Sequence, residues 1–289
     1  MPERKLARAA PSPTDTFPFT RDDFAAIASL AHSHAGIVLA EGKATLVYSR
    51  LGKLVRARGL GSFADYVALI RNDRAERTAA IEALTTNHTK FFREDHHFDH
   101  FATHVRPALR DRAARGGRVR LWSAGSSSGE EVHSLMMTLL GDDRNDALAL
   151  QSGDVVALAS DLNRQVLEIG RRGLYPSTAA QEIPPRLLAL WAQVTGDGVQ
   201  MGDAVRRPIR FRQLNLLNEW PMRGQFDVIF CRNTMIYFDE PTKARLVSRF
   251  AAQLAPGGHL YIGHSERLPE AAARQFRAVG QTIYRKVAA

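Results

Sequence analysis

The chain has one cysteine, Cys231, in 289 residues. Without a second thiol no internal disulfide can form, so stability must come from a packed core, and the composition fits a reducing cytoplasm. Cys231 closes an apolar run and reads as a small core hydrophobe, not a nucleophile. Long apolar stretches are missing as well: none approaches the ~20 residues that span a bilayer. The opening Met1-Pro-Glu-Arg-Lys-Leu-Ala-Arg8 lacks the apolar segment of a secretory signal. A cytoplasmic protein with no membrane insertion is therefore expected. Acidic residues are the scarcer charge, 30 Asp and Glu against 39 Lys and Arg, for a formal net charge of +9. Such an excess suits nucleic acid, anionic lipid or acidic proteins. Much of it is Arg scattered through helices, so charge alone leaves the partner class open.

A metal set is missing too. His96, His97 and His100 fall on one expected helix, where only 96/100 and 97/100 share a face, and no cysteine or spaced carboxylate completes a ligand set. No repeat or low-complexity tract is visible. Apolar content of 45% and charged content of 24% are ordinary for a globular protein.

Residues 1–15, with three prolines, read as disordered. A helical domain follows over 16–84. Thr20 to Asp23 caps its first helix, on which Phe24, Ile27, Ala28 and Ala31 recur at helical spacing. A second helix covers about 44–58 and carries Lys43, Arg50, Lys53, Arg56 and Arg58 beside its apolar stripe. Third and fourth helices cover about 62–71 and 74–84. Residues 85–104 read as a linker that delivers Asn87, Thr89 and Arg93 to the next domain. From 105 to 289 strand and helix alternate, with strands near 118–123, 155–160, 209–212, 226–231 and 259–262 and an edge pair over 276–285. Helices are expected near 128–140, 163–171, 185–194 and 241–254. This βαβ rhythm indicates a doubly wound parallel sheet of the α/β class. Residues 197–207 suggest a small extra hairpin on that frame.

The polar residues of interest stand where strands stop, and open α/β sheets bind ligands beyond the carboxyl ends of their strands. The first strand runs into Gly125-Ser-Ser-Ser-Gly-Glu-Glu131. Its glycines let the backbone approach a ligand, but no lysine follows the last one, so it is not a phosphate loop. Glu130 and Glu131 would repel a pyrophosphate and welcome a cationic nucleoside such as S-adenosylmethionine; alternatively Ser128 and Glu131 form a capping box. Asp161 ends the second strand, either to hold ribose hydroxyls or to cap the next helix. Asn215-Leu216-Leu217 follows the third strand, at the usual place for an adenine contact. The fourth, Phe226–Cys231, delivers Arg232 and Asn233, with Tyr237 just beyond. Asn233 could instead serve local backbone and Tyr237 the core. Three strand ends and one loop aim at one crevice, which is more specific than any single motif.

Together these stretches resemble the chemotaxis receptor methyltransferases, the CheR family. The resemblance is carried by Thr85-Thr-Asn-His-Thr-Lys-Phe-Phe-Arg-Glu94, Trp122–Glu131, Ala159-Ser-Asp161, Phe226–Asp239 and Gly263-His-Ser-Glu266, and runs from about Phe19 to the carboxyl end. It departs from the family pattern at Val132-His133, where Pro-Tyr is usual, and at Thr234. It implies a small helical domain followed by a Rossmann-like class I methyltransferase domain with a small antiparallel insertion. It further implies methyl transfer from S-adenosylmethionine to glutamate side chains of chemoreceptors, leaving γ-methyl esters and S-adenosylhomocysteine. Carried over residue by residue, Asn87, Thr89, Arg93, Glu131, Asp161, Asn215, Leu216, Arg232 and Asn233 would contact the cofactor, and Arg93 and Tyr237 would orient the substrate carboxylate. Arg50, Lys53 and Arg56 would meet the cytoplasmic helical domain of the receptor. A monomer that binds no nucleic acid is the expectation. A methyltransferase acting on RNA is the competing enzyme; the Pro-Pro-Tyr that often follows the fourth strand in base-methylating enzymes is missing after Asn233. A cofactor-binding adaptor that transfers nothing is the competing non-enzyme.

Overall fold

The computed structural model describes residues 16–287; the disorder expected for 1–15 lies outside the described residues. Its contacts divide the chain between Thr86 and Asn87, so the segment expected as a linker belongs from Asn87 onward to the sheet-bearing unit.

The first unit holds helices α1 (Arg21–Ala35), α2 (Ala44–Ala57), α3 (Phe63–Asn72) and α4 (Arg74–Leu84). The expected cap of α1 is a full capping box: Thr20 Oγ1 accepts from the Asp23 amide at 3.1 Å and Asp23 Oδ2 accepts from the Thr20 amide at 2.9 Å. Asp73 caps α4 by its side chain alone, accepting from the amides of Ala75 and Glu76. Val47, Leu51 and Val55 form the wholly buried stripe of α2, and Phe63, Tyr66 and Ile70 of α3 are buried as well. Each such side chain contributes about 1.5–3 kcal/mol on burial.

The second unit contains α5 (His96–His100), a π-helical turn (Phe101–Val105), α6 (Arg106–Ala114), β1 (Val119–Ala124), α7 (Glu130–Leu140), α8 (Leu148–Ser152) and β2 (Val155–Asp161). Then come α9 (Arg164–Arg172), β3 (Leu174–Tyr175), α10 (Pro185–Trp191), β4 (Ala192–Thr195), β5 (Gly198–Met201), α11 (Asp203–Arg206) and β6 (Ile209–Gln213). It closes with β7 (Phe226–Cys231), α12 (Glu240–Gln253), β8 (Leu254–Ile262), α13 (Glu270–Ala273), β9 (Phe276–Gly280) and β10 (Ile283–Lys286). Among the described residues the main sheet has seven strands in the order β6-β2-β1-β7-β8-β10-β9. Strands β6, β2, β1, β7 and β8 run parallel and β10 is antiparallel to both its neighbours. The order reverses between β1 and β7, which makes their carboxyl ends the switch point where such sheets bind ligands.

The sheet is buried on both faces over its centre, which is why β7 reads as a continuous apolar run. One face packs Leu121, Ala157, Val228 and Phe230 against α7 and its neighbours. The other gathers Trp122, Ile229 and Leu260 with α12; Trp122 stands edge-on to Trp220 at 4.7 Å.

Three local expectations change. The helix expected over 185–194 stops at Trp191, because Val194 and Thr195 pair with Gly198 and Val199 in a hairpin turned at Gly196-Asp197. That hairpin, with β3, forms a separate three-stranded antiparallel sheet, while Asp203–Arg206 of the expected hairpin is a helical turn. The capping box of Ser128 and Glu131 does not form: Gly129, at φ 95°, takes the cap position, Ser128 bonds Glu130 and Glu131 turns to Ser123.

Candidate functional site

The loop from β1 into α7 is shaped by its glycines. Gly125 has φ 84°, where a side chain is strained, and a Cβ there would run into the Thr234 hydroxyl. Ser127 sits at φ 49° and donates its amide to Asp161 Oδ2 at 2.9 Å and its hydroxyl to the Asn87 carbonyl at 2.9 Å. Asp161 Oδ1 accepts from the Asn163 amide at 2.9 Å, and Asn163 itself caps α9. Asp161 thus joins the loops after β1 and β2, and burial pushes its carboxyl above the usual range against three main-chain donors. Each carboxylate oxygen keeps further acceptor capacity.

At the end of β7, Arg232 is buried between the rings of Phe98 and Phe230, 5.6 and 5.9 Å from their centroids. Its guanidinium lies 3.2 Å from Glu131 Oε2 and 3.3 Å from Glu94 Oε2, and donates to the Arg93 carbonyl. Arg232 therefore faces two protein carboxylates, at the strand end where a cofactor contact is expected from sequence. Glu131 accepts on its other oxygen from Ser123 at 2.7 Å. Burial pushes its carboxyl up, with Arg232 and Ser123 pulling the other way. Glu94 is different. Burial alone would raise it, but the Arg232 charge and the His264 ring, 2.9 Å away, hold it down at about 2. His97, sealed in beside this cluster, is kept neutral by burial and by Arg232, its pKa lowered to about 3.

Glu266 organises the opposite wall. Its buried carboxylate accepts from the amides of Gly263 at 2.6 Å, Asn233 at 3.1 Å and Ile236 at 3.1 Å. This fixes Asn233 at φ 54°, close enough to Gly263 that a Cβ there would fall 2.5 Å from Asn233 Nδ2. Glu94 and Asn233, both non-glycine residues at positive φ, meet at 3.4 Å at the end of β7, and stored strain gathers at functional sites. Neither Glu94 nor Glu266 was singled out from sequence as a site residue, although both close a stretch that carried the resemblance.

Other expected residues fall as follows. Arg93 is half-exposed, donates to the His88 carbonyl at 3.2 Å and stays 3.9 Å from Glu94. Asn87 is tied to the crevice through Ser127, and Thr89 is half-buried on the same segment. Asn215 Oδ1 accepts from the Leu217 amide at 2.9 Å, an Asx turn beside the end of β6, and Leu216 is buried in the Trp122 cluster. Tyr237 is half-buried in a 3-10 turn, Met235–Tyr237, whose first residue enters the core. Burial raises the Cys231 thiol well above its ordinary range, as befits a core residue. In the first unit, Arg50 is held against the end of α4. Its guanidinium donates to the carbonyls of Leu84 and Thr85 at 2.5 and 2.9 Å, so its charge serves the end of α4. Arg56 lies over the Phe17 ring at 5.3 Å, while Lys53 is exposed.

His133, one of the departures from the family pattern, is buried and contacts the Tyr175 hydroxyl through Nδ1 at 2.8 Å; that hydroxyl donates to the Ser128 carbonyl at 2.8 Å. Since the tyrosine proton goes to Ser128, the imidazole carries its own on Nδ1. The small sheet, through Tyr175 of β3, thereby braces the glycine loop.

The donor set fits S-adenosylmethionine. The buried cation, Arg232, is matched by two carboxylates and has no charge to offer a phosphate. Gly125 and Gly129 keep the loop free of side chains at those positions, and Glu130, Glu131 and Asp161 lie on or beside it. Among the described residues no group of His, Cys, Asp and Glu is placed to hold a metal ion, and no helix is long and apolar enough to cross a membrane.

Comparison with known proteins follows the same division. The family model described as CheR methyltransferase, SAM binding domain, matches residues 87–285, and CheR methyltransferase, all-alpha domain, matches residues 22–85. A probable chemotaxis protein methyltransferase of Rhizobium etli is 46% identical over 262 residues, covering 89% of this chain and 96% of that protein. Chemotaxis protein methyltransferase 2 of Pseudomonas aeruginosa is 40% identical, covering 96% of this chain and 99% of that protein. A chemotaxis protein methyltransferase of Klebsiella aerogenes is 39% identical, covering 97% of this chain and 95% of that protein.

Proposed function

This chain belongs to the CheR methyltransferase family, and from that membership we propose that it methylates glutamate side chains in the cytoplasmic helical domain of chemoreceptors, forming γ-methyl esters. It is an S-adenosylmethionine-dependent methyltransferase of chemotaxis. The observation that supports the finer reading most is the buried Arg232, whose pairs with Glu94 and Glu131 tie the Arg93 segment to the ends of β1 and β7.

When bound, S-adenosylmethionine supplies a methyl group on a positively charged sulfur. Asp161, Asn215, Asn233, Asn87, Thr89 and Glu131 are the residues of this chain suited to hold it: carboxylates and amides for hydroxyl, amino and adenine groups. The acceptor needs no general base, because a glutamate carboxylate is already ionised and nucleophilic at neutral pH. The protein's work is to orient that carboxylate and to exclude water. Arg93 is suited to the first task, since its guanidinium is half-exposed and stays 3.9 Å from Glu94, free to take a carboxylate on two N–H groups. Tyr237 adds a hydroxyl donor. Of Arg50, Lys53 and Arg56, Lys53 is the one exposed on α2 and is suited to meet an acidic receptor helix. The protein acts in the cytoplasm as a monomer.

The test is incubation with radiolabelled S-adenosylmethionine, a receptor cytoplasmic fragment and RNA together. Label on the receptor that is released by mild base supports the ester. Label on RNA overturns the substrate, and cofactor binding with no transfer to anything makes the protein an adaptor.

A further inference from the structure

The second unit leaves part of its sheet bare. A parallel crossover is normally made by a helix, but residues 214–225, which lead from β6 at the sheet edge past β2 and β1 to β7, contain none. On the face shared with Trp122, a groove of about 440 Å³ remains over β2 and β6. Its floor includes Val156 and Leu158 of β2, Met222 of the connection and Phe226 of β7. Its rim carries Arg210 and Arg212, both exposed on β6.

The chemistry of the rim selects the occupant. Arg210 donates to the Arg207 carbonyl at 2.5 Å and Arg212 to the Phe211 carbonyl at 2.9 Å. Among the described residues no carboxylate pairs with either arginine. Two uncompensated cations beside an apolar floor call for a ligand that is acidic on its flank and apolar on its face. Nucleic acid supplies the charge but not the apolar stripe. Dimensions agree: β2 and β6, of seven and five residues, run about 17–23 Å at roughly 3.3 Å per residue, the length of a helix of about 11–15 residues. We infer that this groove docks an acidic amphipathic helix of a partner protein in the place of the missing crossover helix. The inference goes beyond the methyl-transfer reading and does not rest on it.

The experiment uses the full chain and a fluorescein-labelled helical peptide of about sixteen residues, with Leu along one stripe and Glu on its flanks. Saturable binding by anisotropy is expected. Arg210→Glu with Arg212→Glu should weaken it at least about tenfold, and Met222→Glu on the floor should weaken it independently, with the thermal melts of both variants close to that of the unsubstituted chain. The inference is overturned if the double variant binds as well as the unsubstituted chain, or if a peptide with Ser for Leu binds as tightly. Binding of single-stranded RNA that is lost in the same double variant and displaces the peptide would make the rim a nucleic-acid surface and overturn it too. No peptide binding at all would leave the arginines as mere protection of an edge strand.

Discussion

Glu94 holds a left-handed backbone, φ 57°, that costs a non-glycine residue about 1 kcal/mol or more. The cost is offset by its pairs: Arg232 at 3.3 Å, His264 at 2.9 Å and Asn233 at 3.4 Å. Glu94→Gln keeps the shape and removes the charge, leaving the buried Arg232 opposite Glu131 alone. Methyl transfer and cofactor affinity should then fall together, with a loss of stability of about 1–3 kcal/mol, read from calorimetric titration and melting. Unchanged affinity would mean that Arg232 does not shape the cofactor crevice. Arg93→Ala is expected to behave otherwise. It should lower kcat/KM for receptor roughly a hundredfold, about 2.7 kcal/mol, with cofactor affinity kept, and equal loss of both would remove its proposed role on the substrate carboxylate. The positions of Asp161, Arg232 and Asn233 at or just beyond strand ends were legible because the apolar runs before them show where strands stop, and Glu131 stood out by the glycine loop that precedes it. Glu94 and Glu266 were not. Their roles depend on partners across the fold, and no local pattern distinguishes a carboxylate that collects three amides from one that faces solvent.

Elements were read well where one signal dominates, as with helical periodicity in α4 and α12 and the continuous apolar run of β7, and less well where two signals compete. The Ser128-x-x-Glu131 pattern is a capping signature, yet Gly129 at φ 95° sets a different geometry and frees Glu131 for Ser123. Similarly, Pro185–Val194 has a helical start, but the turn at Gly196-Asp197 lets its end pair as a strand. Basic α2 shows why charge on an element must be resolved residue by residue. Arg50 closes the carbonyls at the end of α4, whereas Lys53 is exposed. Lys53→Glu should therefore weaken receptor methylation and leave melting unchanged, while Arg50→Ala should lower the melting temperature of the helical unit. Circular dichroism together with the labelling assay separates the two; identical effects would deny them distinct roles. The glycine loop supplies a paired test. Gly125→Ala sets a Cβ at φ 84° against the Thr234 hydroxyl, so cofactor affinity should drop. Adding Thr234→Ala should recover part of it by removing the clash, though not the part due to the backbone. No recovery at all would show that Thr234 is not what confines the loop.

For the whole molecule, the division between Thr86 and Asn87 means that one melting curve need not report one transition. All three tryptophans, Trp122, Trp191 and Trp220, lie after that division, so tryptophan fluorescence follows the sheet unit alone. That unit buries imidazoles in neutral form: burial lowers His97 and His133 to about 3 and His259 to about 4. In the unfolded chain they titrate near 6.5. Between these values the unfolded state binds more protons, so the contribution of these imidazoles to folding stability is constant above about pH 6.5 and declines as pH falls. Glu94, held at about 2, adds a further loss between about 4.5 and 2. Glu130, Glu131, Asp161 and Glu266 oppose this trend, since burial raises them and protonation relieves it. A difference measurement removes those shared contributions. His133→Phe deletes one buried imidazole, so the slope of stability against pH between about 6 and 5 should flatten by up to about 1.4 kcal/mol per pH unit, the value for one proton. At pH 7 the variant should be less stable, because Tyr175 loses its partner while still bonding Ser128. Denaturant unfolding followed by tryptophan emission at several pH values gives both numbers. A slope identical to that of the unsubstituted chain would mean that His133 is protonated in the fold, and the neutral Nδ1 tautomer bracing the loop would have to be abandoned.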